Sequence, residues 1–299
     1  TYDPNAIATR DPARLPAAPE LNRATQGRYP PGSTMKVVTA AAALDTGAFT
    51  PDSVLDGDSP RLVGGAPLAN FGNQSFGPIS LTDALTNSVN TVFAQIGERL
   101  GKRTLFRYMD RFGFGRDPRL DYPDDQMAPS GVYAGQRLLG PDDPLDIGRV
   151  AIGQERLQVT PLQMALVAAA VANGGLLVRP HLTDRIVDPS GRVVERVGRD
   201  VETRVMSPTT AGQLTEMMSR VVEEGSGTAA ALAGVRVAGK TGTAEVAGGT
   251  ANQAWFIGFA PVDSPRVAVA VTVERTQGQG GTVAAPIART VLETLLGTR

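Results

Sequence analysis

Ser33-Thr34-Met35-Lys36 places a serine and a lysine three residues apart. On a helix, positions i and i+3 share a face about 5–6 Å apart, so the Lys36 amine falls beside the Ser33 hydroxyl. A serine hydroxyl is a weak nucleophile until a neighbour takes its proton. A lysine can take it once burial and nearby positive charge bring its pKa from about 10.4 towards 7, a shift worth roughly 4 kcal/mol. The residues that follow, Val37 to Leu44, are apolar on nearly every side of a helix and provide that burial. Ser33 at the helix start also presents its own N–H where an oxyanion can be held. The plainer reading of the same residues is a serine N-cap followed by a lysine that snorkels to solvent.

Ser88-Val89-Asn90 lies between two helical pieces, and alone it reads equally well as a helix cap. Lys240-Thr241-Gly242-Thr243 closes an apolar strand. A lysine, two hydroxyls and a backbone bared by glycine make a site for a carboxylate on an extended peptide. The plainer alternative is a strand end with a solvated lysine. The chain has three lysines, so 26 of its 29 basic residues are arginine. Arginine is never deprotonated, whereas lysine can be tuned into a base. Two of the three lysines fall in these motifs.

The remaining composition narrows the chemistry. There is no cysteine, which rules out a thiol nucleophile, a disulfide scaffold and a Cys-ligated zinc site. The single histidine, His181, rules out a multi-His metal centre and is the residue any Ser-His-acid triad would have to use. A net charge of −1 gives no electrostatic case for nucleic acid or an anionic membrane surface. The paired acids Asp124-Asp125 and Asp142-Asp143 lack calcium-loop spacing and read as solvated turns. The longest apolar runs, near residues 37–44 and 162–171, fall short of the roughly 18 residues that span a bilayer. No signal peptide is visible, and the chain is expected to begin inside a longer protein.

These residues need elements to position them. The spacing predicts a helix over 33–44, irregular chain over 48–80, short helices over 81–85, 89–100 and 105–112, a long loop over 113–144, and a buried helix over 161–173 capped by Thr160. Beyond residue 176 the period changes to strands at 177–179, 183–187 and 192–197, followed by a helix over 208–223. Strands at 235–243, 254–260 and 266–274 follow, with turns at Gly248-Gly249 and at 261–265, and a helix over 285–296 closes the chain. The fold class expected is α+β, an antiparallel sheet flanked by helices plus an all-α subdomain. The mainly helical part covers about 33–175 and the sheet-forming part about 176–299.

Ser-x-x-Lys, Ser-x-Asn and Lys-Thr-Gly in this order form the signature set of penicillin-binding proteins and class A β-lactamases. The chain resembles the transpeptidase domain of a class B penicillin-binding protein from end to end. Tyr2-Asp3-Pro4-Asn5, Leu21-Asn22-Arg23-Ala24, Tyr29-Pro30-Pro31-Gly32-Ser33-Thr34, Gly153-Gln154, Thr160-Pro161-Leu162-Gln163 and Trp255 to Pro261 carry the likeness beside the three motifs. The composition and the 113–144 region resemble the actinobacterial A-type branch. The resemblance implies a penicillin-binding-protein/β-lactamase-like fold and a serine D,D-transpeptidase that cross-links peptidoglycan stem peptides in wall growth. Ser33 would attack the penultimate D-alanine, Lys36 would be its base, and Ser88 would relay a proton to the leaving D-alanine near Lys36 and Lys240. Asn90 would bond the donor peptide. Lys240, Thr241, Gly242 and Thr243 would hold the terminal carboxylate, and the Ser33 and Thr243 N–H groups would form the oxyanion hole.

The same resemblance implies no cofactor and no metal. Its partners would be donor and acceptor stem peptides, β-lactams and wall-synthesis machinery such as a glycosyltransferase. Its place would be the extracytoplasmic face of the bacterial cell membrane, with the anchor and an N-terminal pedestal expected upstream. The family's five-stranded sheet would lack its first two strands here. A D,D-carboxypeptidase differs mainly in letting water in. A β-lactam sensor usually carries Val or Ile where Asn90 stands, and a class A β-lactamase needs a Glu-x-x-Leu-Asn stretch that Glu155-Arg156-Leu157-Gln158-Val159 does not match. A hydrolase built on His181 is a further reading. Trp255 reads as sheet packing more than as a substrate platform.

Overall fold

The computed structural model describes residues 21–245 and 251–298. Three antiparallel strands form the main sheet: Ala238–Glu245, Asn252–Ala260 and Val267–Thr276, with Asn252–Ala260 in the middle. The middle strand is apolar along most of its length because both of its faces are covered. Trp255, Ile257 and Phe259 enter the main core, against helix Pro161–Ala172. Phe256 and Ala260, on the alternate positions, enter a second cluster with helix Ala285–Leu296. Helix Pro208–Glu223 packs along strand Ala238–Glu245. The main core continues from the sheet into helices Lys36–Asp45 and Asn90–Arg111, so helical and sheet regions share one interior.

Capping follows the sequence. Thr160 accepts a hydrogen bond from the Gln163 N–H and Ser207 from the Thr210 N–H, each with a proline in the first turn. Helices Pro208–Glu223 and Ala285–Leu296 have the predicted bounds.

Several elements differ from expectation. Residues Gly32–Met35 form a 3-10 turn, and the α-helix begins only at Lys36. The pieces expected over 89–100 and 105–112 are one run, Asn90–Arg111, broken by Gly101 at φ 74°. The 48–80 stretch holds two small antiparallel pairs, Val54–Asp56 with Pro78–Ser80 and Arg61–Val63 with Ala66–Leu68. The 113–144 loop contains Gly131–Ala134, which pairs with Arg137–Leu138 and Leu157–Gln158. Strand Val201–Arg204 and helix Ile147–Ala151 were not anticipated. The short strands and helix Ile147–Ala151 are two to five residues long, too short for periodicity to register. The main sheet has three strands among the described residues, and no other described segment joins it. Tyr2-Asp3-Pro4-Asn5 and the Gly248-Gly249 turn lie outside the described residues.

Candidate active site

The turn that carries Ser33 is held from three sides. The Tyr29 backbone pairs with Val159, and the Gly32 N–H donates to Gly153 O at 3.1 Å. The Trp255 indole N–H donates to Pro30 O at 2.9 Å, and Thr34 Oγ1 donates to Pro31 O at 2.8 Å. Trp255 is fully buried, as expected of a packing residue. Tyr29 meets it edge-on and donates its hydroxyl to Glu274 Oε1 at 2.5 Å, the same oxygen that accepts from Arg23 at 2.9 Å.

Glycines let backbone meet backbone here. A Cβ on Gly32, which has φ +51°, would sit 2.6 Å from Thr243 O. One on Gly242 would sit 2.7 Å from Pro31 O and 2.9 Å from Thr34 Cγ2. One on Gly153 would fall onto Gly32 O, and one on Gly280 onto Gly242 O. Gly242 therefore serves the approach of the strand to the Ser33 turn, where the sequence had suggested room for a peptide.

Lys36 and Lys240 are both fully buried. Lys36 Nζ donates to Ser88 O at 2.7 Å, to Asn90 Oδ1 at 2.7 Å and to Ser88 Oγ at 3.3 Å. Lys240 Nζ donates to Ser88 Oγ at 2.9 Å and to Thr241 O at 3.0 Å. Burial pushes Lys240 down to about 7. Burial, and then the neighbouring Lys240 charge, hold Lys36 well below the usual lysine value. A neutral amine has two N–H groups and one lone pair. The two shortest contacts of Lys36 go to oxygens that only accept, which leaves the lone pair for a hydroxyl. The Lys36 backbone N–H donates back to Ser33 O across the 3-10 turn, which sets the two residues one turn apart. The Lys36 amine makes its hydrogen bonds to Ser88 and Asn90.

Ser88 has φ +59°, a left-handed backbone that costs a non-glycine residue roughly 1–2 kcal/mol. That conformation aims its hydroxyl at both amines. Asn90 donates its side-chain N–H to Ala69 O at 3.0 Å, which fixes Oδ1 towards Lys36. On the far side of strand Ala238–Glu245, Thr243 Oγ1 accepts from the Gly280 N–H at 3.1 Å, and Thr241 Oγ1 lies 2.6 Å from Ser226 Oγ. Sequence reasoning passed over Ser226, Gly280 and Glu274. The Gly225-Ser226-Gly227 and Gly278-Gln279-Gly280-Gly281 clusters were the available signals.

The competing features lie in other surroundings. His181 is exposed, with its ring Nδ1 against Thr183 O. Asp142 and Asp143 pair with Arg103 and Arg137. Among the described residues no group of three or more His, Asp or Glu could hold a metal. A cavity of about 770 Å³ opens between Phe106, Met109, Phe114 and Leu139, and none of the predicted site residues lines it.

A half-buried serine on a glycine-packed turn, beside two buried amines that share a second serine, defines the class of serine acyl-transfer proteins built on this antiparallel sheet. The chain belongs to the penicillin-binding-protein transpeptidase family: the family model described as "Penicillin binding protein transpeptidase domain" matches residues 1–293. The chain is 38% identical to the peptidoglycan D,D-transpeptidase PbpA of Mycobacterium tuberculosis over 99% of its own length and 63% of that protein's. It is 34% identical to the stage V sporulation protein D of Bacillus subtilis, over 97% of this chain and 45% of that one. The penicillin G acyl-enzyme complex of M. tuberculosis penicillin-binding protein A is similar at a TM-score of 0.84 and 38% identity, over 99% of this chain and 70% of the other.

Proposed function

We propose that residues 1–299 form one transpeptidase domain of a class B, A-type penicillin-binding protein, a serine D,D-transpeptidase that cross-links peptidoglycan stem peptides. The observation that carries this reading is the convergence of the Lys36 and Lys240 amines on Ser88 Oγ. Lys36, drawn towards its neutral form, takes the Ser33 Oγ proton as Oγ attacks the carbonyl of the penultimate D-alanine. The Ser33 and Thr243 N–H groups hold the oxyanion. The C–N bond breaks as Lys36 passes that proton through Ser88 to the departing D-alanine amine, which returns Lys36 to its neutral form. Asn90 holds the Lys36 amine and meets the donor peptide, while Lys240, Thr241 and Thr243 hold the terminal carboxylate. An amine of a neighbouring stem peptide then attacks the ester carbonyl and gives up a proton to Lys36; the C–O bond breaks, and Lys36 returns the proton to Ser33 Oγ. A β-lactam would be trapped because its amine stays tethered to the acyl group.

The reading places the domain at the extracytoplasmic face of the bacterial membrane, working with wall-synthesis machinery such as a glycosyltransferase. No helix of the described residues is long and apolar enough to cross a membrane. Glu155 is exposed and paired with Arg156, an arrangement unlike a buried water-activating carboxylate. The test is intact-protein mass spectrometry with benzylpenicillin, followed over hours, with Ser33→Ala beside it. A lasting adduct on the wild type alone, and transfer from a D-Ala-D-Ala peptide to an added amine, are the expected results. Adduct that clears in seconds would make the protein a β-lactamase. Release of D-alanine without transfer would make it a carboxypeptidase, and an adduct with no peptide turnover would make it a sensor.

A further inference from the structure

We propose that Ser226 is a positioning residue for carboxylate recognition, acting through the hydroxyl of Thr241. This rests on the transpeptidase reading, in which Thr241 and Thr243 face the terminal carboxylate. Residues i and i+2 of a strand share a face, so the two threonines stand side by side on strand Ala238–Glu245. A threonine hydroxyl has one proton to give and must be turned so that it points at the ligand. For Thr243 the turning is done by the Gly280 N–H, which donates into Oγ1 at 3.1 Å and leaves the proton free. Thr241 has no such backbone donor. Its Oγ1 lies 2.6 Å from Ser226 Oγ, a short bond in which one hydroxyl donates and the other is left with an outward proton.

A bound carboxylate decides between the two arrangements. An anion needs donors, and Ser226, exposed where Thr241 is buried, can accept from water instead. Ser226 therefore donates into Thr241 Oγ1, and Thr241 donates onward to the carboxylate. A hydroxyl that accepts while it donates is polarised and gives the stronger bond. The loop that brings Ser226 there is fixed on both flanks. Its N–H reaches Thr86 O at 3.4 Å, just before the Ser88 turn, and a Cβ on Gly281 would fall onto Ser226 O. Ser226 thus joins the segments bearing Ser88 and Lys240 to the carboxylate site.

The experiment compares acylation efficiency for benzylpenicillin and its methyl ester, which keeps the ring and lacks the carboxylate charge. Ser226→Ala is expected to slow the acid by roughly three- to tenfold, the worth of one such hydrogen bond, and to leave the ester rate as it was. Ser226→Thr, which restores a hydroxyl, is expected to return the acid rate to within about twofold of wild type. Equal slowing of acid and ester, or no slowing, overturns the inference, as does failure of Ser226→Thr to rescue. A wild-type protein that no penicillin acylates would instead overturn the transpeptidase reading and this inference with it.

Discussion

Lys36 and Lys240 meet at one atom: their amines reach Ser88 Oγ at 3.3 and 2.9 Å. Burial lowers the proton affinity of both amines, and the Lys240 charge lowers that of Lys36 further. Lys36 must be neutral to act as a base, so acylation should rise with pH on the acid side. The Lys240 charge is the second cause of the low Lys36 value. Lys240→Met removes it, raises the Lys36 value and moves the acid limb of the acylation profile to higher pH. Rates measured from pH 5 to 9 with a limb left in place would remove Lys240 from that role.

Stability should carry the same signature. Lys240 titrates near 7 when folded and at 10.5 when free, so between those values the unfolded chain binds the extra proton. The cost of burying the amine is present in full below pH 7 and is relieved as pH rises towards 10.5. Lys36 adds with the same sign. Chemical denaturation at pH 7.5 and 9 should show a gain of up to about 1.4 kcal/mol per pH unit per lysine, reduced in Lys240→Met. A flat profile for the wild type would contradict the burial argument.

Ser88 trades stability for aim. Ser88→Gly accepts φ +59° without penalty, so it should be about 1 kcal/mol more stable than Ser88→Ala, which keeps the strain. Both lose the hydroxyl, and both should transfer to an amine acceptor at least about a hundredfold more slowly than wild type. Alanine and glycine variants of equal stability would mean that the backbone relaxes.

Gly242→Ala should separate the strand from the Ser33 turn, because the new Cβ meets Pro31 O at 2.7 Å. Overpacking of this kind costs about 1–3 kcal/mol. Acylation should fall more than tenfold in a protein that still folds, because small displacements of reacting groups are costly. Wild-type acylation would show that the close approach is incidental.

The meeting of Lys36, Ser88, Asn90 and Lys240 was legible because three short motifs survive as spacing, and because a chain so poor in lysine kept two of them there. The bounds of helices Pro208–Glu223 and Ala285–Leu296 were legible from capping residues and period. The partner of the Lys36 amine at the Ser88 backbone was not. Periodicity suggested an α-helix through Ser33, whereas the 3-10 turn and a remote acceptor, Ser88 O, direct the Lys36 amine elsewhere. Ser226 was invisible for a related reason: its partner, Thr241, is close only after helix Pro208–Glu223 returns the chain to the sheet. The glycines were counted as turn formers, yet at Gly242 and Gly280 the missing side chain serves distant backbone.

The stack of Gly153, Gly32, Gly242 and Gly280 leaves the Ser33 turn little freedom to vary. Where main chain rests on main chain there is no side chain to exchange, and nearly any replacement pushes the Ser33 turn away from the Lys240 strand. Room for side-chain change lies around this stack, at exposed neighbours such as Asn87 and Ser226.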